Sequence, residues 1–287
     1  MRHSRKLAGA LYAAPVAVFV LVFFVAPLLL VGRMSASDWP LLAGDRGINL
    51  PQNYEGIADN PLFWPAVGFT LKYTGIVVVI LIGLSLLLAV IVADNRRGSG
   101  FFRSAYFLPT TLGLASASLL FFGFYSPAIG PLDPLLEWVG LEPVSWLGTP
   151  NAALWSTVAL IVWKFAGFFM IILLVGLQAI PPDVYEAARL DGANRWQSFW
   201  HVTVPLLRPA LGLVLILSVT GSLLAFDQFF ILTKGGPDNS TVTVVQLIYR
   251  EAFQRFDLGA AAAISVVVLA ALLVLNIVQF RALRRDA

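Results

Sequence analysis

The sequence predicts an all-α integral membrane protein, a six-transmembrane-helix bundle with a helix-turn-helix loop on its cytoplasmic side. Three observations carry this. Hydrophobic residues make up 59% of the 287-residue chain and charged residues only 12%, about half of the ~25% usual in soluble domains. The apolar residues fall in blocks long enough for the ~20 residues that a helical crossing needs. Lys and Arg, finally, collect on alternate connectors, the asymmetry that sets the orientation of a multi-span protein.

Six blocks read as spans, at about 7–31, 69–93, 104–124, 152–177, 210–231 and 259–280, within a single transmembrane domain covering 1–287. The longest connectors, 32–68 and 178–209, are too short for a catalytic domain of ordinary size. Function therefore has to sit in the bundle or on its loops. Pro15, Pro27 and Pro109 fall inside spans, where neighbouring helices or water must satisfy the carbonyls they free.

Twelve basic residues lie on one set of connectors: Arg2, Arg5, Lys6, Arg96, Arg97, Arg103, Arg189, Arg195, Arg208, Arg281, Arg284 and Arg285. Five lie on the other, Arg33, Arg46, Lys234, Arg250 and Arg255. The excess places both termini and the loops 94–103 and 178–209 in the cytoplasm. The net charge of +3 thus reports topology, and nucleic acid is not expected as a partner. Arg2–Lys6 before an apolar run also resembles a secretory signal, with small residues at Ser35-Ala36-Ser37. A block of 25 apolar residues, however, exceeds the 7–15 of a signal core, so the first span is expected to stay.

Cysteine is absent, and His3 and His201 stand far apart in sequence, so no metal site is expected. No G-x-x-x-x-G-K-[ST] phosphate loop occurs, and the chain should not hydrolyse ATP itself.

The loop 178–209 carries the most specific signal. Asp183 and Glu186 follow a Pro pair at capping-box spacing and should open a short helix. Asp191-Gly192 should close it, with Gly192 in the left-handed C′ conformation. Asn194 with Gln197 repeats the capping spacing and opens a second short helix, which Pro205 limits. Ala187, Ala188, Gly192 and Ala193 leave the bend almost without side chains, so a partner's groove could approach the backbone. The plainer reading is an amphipathic loop on lipid headgroups, anchored by Trp196, Phe199 and Trp200.

Glu186-Ala187-Ala188, Asp191-Gly192-Ala193, Phe199, Pro205 and Pro209 resemble the EAA loop of binding-protein-dependent ABC importer permeases, in the carbohydrate-uptake branch that includes maltose-type and glycerol-3-phosphate-type permeases. The likeness extends through Arg103–Pro109, Tyr125–Gly130, Phe226-Asp227, Leu232–Pro237 and Ile248–Gly259. It implies that the loop forms coupling helices seated in a separate ATPase, with Glu186, Ala187, Ala188, Asp191, Gly192 and Ala193 as the docking residues. It also implies two ATPase subunits holding ATP and Mg, a second permease in a heterodimer, an extracytoplasmic solute-binding protein, and a place in the bacterial cytoplasmic membrane. The solute would be a sugar or a glycerol-phosphate-like molecule. A gradient-driven transporter or channel is the alternative, and it would need ionisable relays in several spans. A membrane enzyme would need clustered acids, His or metal ligands, and none is visible.

Polar residues within spans are candidates for the solute route: Lys164, Ser218, Ser222, Asp227 and Gln228, with Tyr125 or Phe226 as an aromatic face. Lys164 is near mid-span, where a lipid-facing ammonium is costly. Asp227 is the obvious counter-ion, yet it differs in depth by roughly 12 Å at ~1.5 Å per residue, too far for a direct pair. Lys164 is then satisfied by backbone carbonyls or a neighbouring subunit, or it lines the route. Beyond the Gly235-Gly236-Pro237 turn, Val245, Ile248, Tyr249, Ala252, Phe253 and Phe256 mark an amphipathic helix. Its polar face (Gln246, Arg250, Glu251, Arg255) is free either to lie at the outer interface or to meet the binding protein.

Overall fold

The computed structural model describes residues 12–93, 98–127 and 129–285, with side chains as far as residue 282. Arg2, His3, Arg5, Lys6, Arg96 and Arg97 lie outside the described residues. The described elements are helical apart from two isolated bridges. In chain order the helices are α1 (Tyr12–Ser35), α2 (Leu50–Asp59), α3 (Phe63–Ala93), α4 (Ser99–Phe107), α5 (Leu114–Phe124), α6 (Leu132–Trp138), α7 (Pro150–Gln178), α8 (Pro182–Leu190), α9 (Arg195–Ser198), α10 (Arg208–Leu223), α11 (Asp227–Leu232), α12 (Val244–Phe253) and α13 (Leu258–Arg285). Helices α1, α3 and α7, the α10–α11 pair and α13 are each long and apolar enough to cross a membrane, and α4 with α5 makes a sixth, bent candidate.

The chain groups into two compact units, one of residues up to Phe63 with Leu247–Ala271, the other of Trp64–Gln246 with the residues from Leu272 on. In the first, α1 ends in a cap built from connector 32–68, which is not structureless. Asp38 and Gly47 pair backbone to backbone as a small hairpin, and α2 follows it. The buried Asn53 donates from Nδ2 to the carbonyls of Ser35 and Ser37 at 3.0 and 2.9 Å, stitching α2 to the end of α1. Leu258 N–H bonds to the Trp39 carbonyl at 2.9 Å, and Gly259 approaches the Ser37 carbonyl so closely that a Cβ would not fit. The exposed Asp45 carboxylate accepts from Gly47 N–H and then from Arg33, and both hold it below its ordinary pKa.

Within this unit the last turns of α12 run against expectation. Glu251 is buried, accepting from Asn60 Nδ2 at 2.8 Å and pairing with Arg255 at 3.2 Å. Gln246, on the same expected polar face but in the larger unit, is buried as well. Phe253 and Phe256 are exposed there, as are Gln254 and Arg255. Glu251 is thus turned inward, where its carboxylate accepts from Asn60 and pairs with Arg255, while Arg255 itself stays exposed.

The second unit is built around α7. Its Leu154, Leu160, Phe169, Met170 and Leu173 form a core with Tyr73, Val77 and Leu81 of α3 and Val214 and Phe229 of the α10–α11 crossing. Phe229 sits edge-on to Tyr73, ring centroids 4.9 Å apart. Ser85 Oγ donates across to the Ala166 carbonyl at 3.0 Å.

Two crossings in this unit are broken. The expected third span, 104–124, is not one rod: α4 continues as a 3-10 turn over Leu108–Thr111, Leu112 is extended, and α5 departs at 95°. Pro109 removes a donor and begins the tightening. The expected fifth span, 210–231, is interrupted at 224–226 between α10 and α11. There Thr243 Oγ1 donates to the freed Ala225 carbonyl at 2.7 Å.

The bent arm is pressed hard onto α7. At Gly167 an added Cβ would strike the Tyr106 carbonyl. Gly167→Ala should therefore destabilise the protein by about 1–3 kcal/mol through overpacking, lowering its thermal midpoint in detergent. Gly83→Ala, with open space at its Cβ position, should match or exceed the parent. Equal midpoints for both variants would contradict the close approach.

Candidate functional site

Two places combine the sequence candidates. The first is the loop between α7 and α10. Helix α8 begins on extended Pro181 with Pro182 at its first position, and no side chain caps it. The expected Asp183–Glu186 capping box is thus absent, since the Pro pair already sets the starting φ and removes an orphan donor. The close of α8 follows expectation. Gly192 takes φ +81°, its N–H bonds to the Arg189 carbonyl, and Ala193 N–H reaches back to Ala188 at 2.9 Å. That is a complete Schellman turn. Asn194 then makes the full capping box with Gln197, at 2.8 and 2.9 Å.

Pro205 does not limit the second helix. A π turn over Phe199–Thr203 widens the backbone ahead of it, and the chain runs on through Val204–Leu206 towards α10. The π turn absorbs the missing donor, so no stop is needed. Tyr185 and Thr203 hydroxyls meet at 3.2 Å and tie α8 to this second helix. On the outside, Glu186, Ala187, Asp191 and Gly192 are exposed, and Ala188 and Ala193 half-buried. Leu190 stands 89% exposed at the tip. It interrupts a polar run between Arg189 and Asp191, a signal that sequence reading passed over.

The second place is a cavity of about 260 Å³ in the larger unit, at the break between α10 and α11. This is near the ~300 Å³ lower end of small-molecule sites. Ser218, Ser222, Asp227 and Gln228 all line it, together with Tyr73, Leu114, Phe165, Phe169 and Phe226. Helical spacing puts Ser218 and Ser222 one turn apart, and the break brings Asp227 and Gln228 beside them. Ser218 Oγ is held by the Leu215 carbonyl at 3.2 Å. Gln228 is 2% exposed; its Nε2 donates to Tyr73 Oη at 3.2 Å, while its Oε1 has no partner. Tyr73 and the α7 aromatics Phe165 and Phe169 were not among the sequence candidates, although the latter are four apart on one helical face.

Two candidates do not join the wall. Tyr125 donates to the Ser156 carbonyl at 2.8 Å and stacks on Trp146, so its hydroxyl is engaged in fixing α7. Lys164 is 3% exposed. Its ammonium donates to the Leu112 carbonyl and lies 3.3 and 3.5 Å from those of Thr110 and Pro109. Thr110 Oγ1 returns a bond to the Lys164 carbonyl at 2.9 Å. The cation thus sits on carbonyls that the bend frees at the end of a helical arm, where helix dipoles favour it. Of the two possibilities open for Lys164, this geometry matches backbone satisfaction.

Residues 82–285 match the family described as the binding-protein-dependent transport system inner membrane component. The chain belongs to this family. The permease is 33% identical over 265 residues to the multiple sugar-binding transport system permease protein MsmF of Streptococcus mutans, covering 91% of this chain and 89% of that one. It is 31% identical over 288 residues to the trehalose/maltose transport system permease protein MalF of Thermococcus litoralis, covering 100% and 97%. Its fold matches a chain of a bacterial ABC transporter involved in the import of the acidic polysaccharide alginate, with a TM-score of 0.87 at 23% identity over 99% of both chains. These relatives are named as transport proteins, and the permease is a transport subunit.

Replacing Lys164 with Met should leave buried carbonyls of the permease unpaired, at about 1–3 kcal/mol for each group stranded. Its folded yield and thermal midpoint should fall, and Lys164→Arg, which keeps the charge and the donors, should recover part of the loss. A Met variant as stable as the parent would show that the bend holds without the cation.

Proposed function

We propose that this permease forms half of the translocation pathway of an ATP-driven sugar importer. It would pair with a second permease, receive solute from an extracytoplasmic binding protein, and be driven by two separate ATPase subunits carrying ATP and Mg. The α8–α9 loop then faces the cytoplasm, with both termini on that side, and Glu186, Ala187, Ala188, Asp191, Gly192 and Ala193 meet the ATPase. The solute is a saccharide, in line with the names of the relatives, which span neutral and acidic sugars.

One observation carries the reading most directly. The turn at Gly192 is locked by a Schellman motif and a capping box, and fastened beneath by Tyr185 and Thr203, yet its outer surface is uncovered. A rigid turn with small residues and one projecting leucine suits a partner's groove, because the short helix arrives already ordered. The binding protein and ATP each shift the bundle only by their differential affinity for its states. Lys164 and Asp227 do not form a relay of the kind a gradient-driven transporter would use, since Lys164 is committed to carbonyls.

Purifying the permease gently from its native membrane should recover a second multi-span subunit and ATPase activity. Gly192→Asp forces a side chain into the left-handed region and places charge on the docking surface. It should leave membrane insertion intact and cut uptake by an order of magnitude or more, with ATP hydrolysis uncoupled or lost. Normal uptake by that variant would sink the assignment of the loop. Asp227→Ala should lower uptake of the transported sugar while the assembled complex is recovered in normal amount; unaltered uptake would remove Asp227 from the route.

A further inference from the structure

We propose that the cavity at the α10–α11 break selects neutral, hydroxyl-rich solutes over acidic ones, and that Asp227 makes this selection. The inference rests on the sugar-import reading and goes further, by naming which saccharides the cavity accepts.

Its hydrogen-bonding character is the first argument. The charged group on its wall is the acceptor Asp227, beside the hydroxyls of Ser218 and Ser222. Both oxygens of the Asp227 carboxylate engage no hydrogen bond or ion pair among the described residues. Gln228 Oε1 is buried and unpartnered, and one of the amide donors of that residue is occupied by Tyr73. An ionised carboxylate can only accept, so the matching ligand must donate. A sugar's hydroxyl groups do this readily, and bonds to a charged acceptor are the strong ones. The carboxylate of a uronate, or a sulfonate or phosphate group, brings only acceptors and would leave Asp227 facing unmatched oxygens wherever the two met.

Charge is the second argument. Among the described residues lining the cavity there is no Lys, Arg or His. Lys164, the basic residue buried in the same helix as Phe165 and Phe169, is bound to the carbonyls at the third-crossing bend. A solute anion a few ångströms from Asp227 would meet its repulsion in a poorly screened interior, and the Lys164 ammonium, 5.1 Å from the Phe165 ring centroid, is already engaged by carbonyls. The wall is also aromatic, and Phe165 and Phe226, which are only partly buried, suit the C–H faces of a pyranose ring.

The test uses the assembled transporter in lipid nanodiscs, without nucleotide or binding protein. Neutral gluco- and galacto-oligosaccharides are titrated beside uronic-acid oligosaccharides of the same length, for the parent and for Asp227→Asn. The parent should bind at least one neutral oligosaccharide, with its uronate counterpart weaker on the order of 100-fold. Asp227→Asn keeps the shape and removes the charge, so it should shrink that gap to a few-fold by tightening the uronate and weakening the neutral sugar. A uronate that binds the parent as tightly as the neutral sugar would overturn the selection while leaving sugar import standing, and so would a gap unchanged by Asp227→Asn. If a preparation that hydrolyses ATP binds no saccharide of either kind, the cavity is not a sugar site and the broader reading of this chain's route falls with it.

Discussion

The grip of the Lys164 ammonium on the carbonyls at the end of the α4 arm is the contact on which the rest of the larger unit depends. A crossing that bends by 95° within an apolar layer exposes acceptors that lipid cannot satisfy, and each would cost several kcal/mol. A lysine buried in the same layer has the converse difficulty, a charge without water. Each solves the other's problem. With the bend fixed, α5 is free to leave at a steep angle and pack against α11, and Leu114 at its start becomes part of the cavity wall.

The second break follows the same rule with different chemistry. At 224–226 the backbone leaves the helix, and a threonine hydroxyl from Thr243 satisfies the carbonyl of Ala225. What the break exposes is one wall of the cavity. An unbroken helix would keep Asp227 and Gln228 on the regular 3.6-residue spiral of Ser218 and Ser222. The interruption restarts the helix at Asp227 and gathers all four residues on one cavity. Irregular backbone of this kind is tolerated within a membrane only where protein or a cavity surrounds it.

How much of this was legible in the sequence depends on the range of the physics involved. Uniform apolar runs placed α3, α7 and α13 well, because hydropathy over ~20 residues is a strong local signal. The Gly192 turn and the Asn194–Gln197 box were equally legible, since their partners lie within a few residues. The misses are of two kinds. Local competition deceived at Asp183–Glu186, where the Pro pair takes over the start of α8, and at Pro205, where a π turn keeps the helix running. Distance hid the rest: the carbonyls that hold Lys164 lie more than 50 residues away, the partner of Ala225 is 18 residues on, and no proline marks that break. Connector 32–68 hid α2 because a ten-residue polar helix lacks the hydropathy that marks a span. Glu251 read as part of a free polar face for a similar reason, for its burial follows from Asn60, which the local pattern does not contain.

The most direct measurement is an experimental structure of the assembled transporter with a neutral oligosaccharide bound. Solute density is expected against Asp227, Gln228 and the rings of Phe165 and Phe169, with Lys164 still on the carbonyls of 109–112 and an ATPase groove over Leu190 and Gly192. Solute held by Lys164, or a straight third crossing with the cavity closed, would contradict that arrangement.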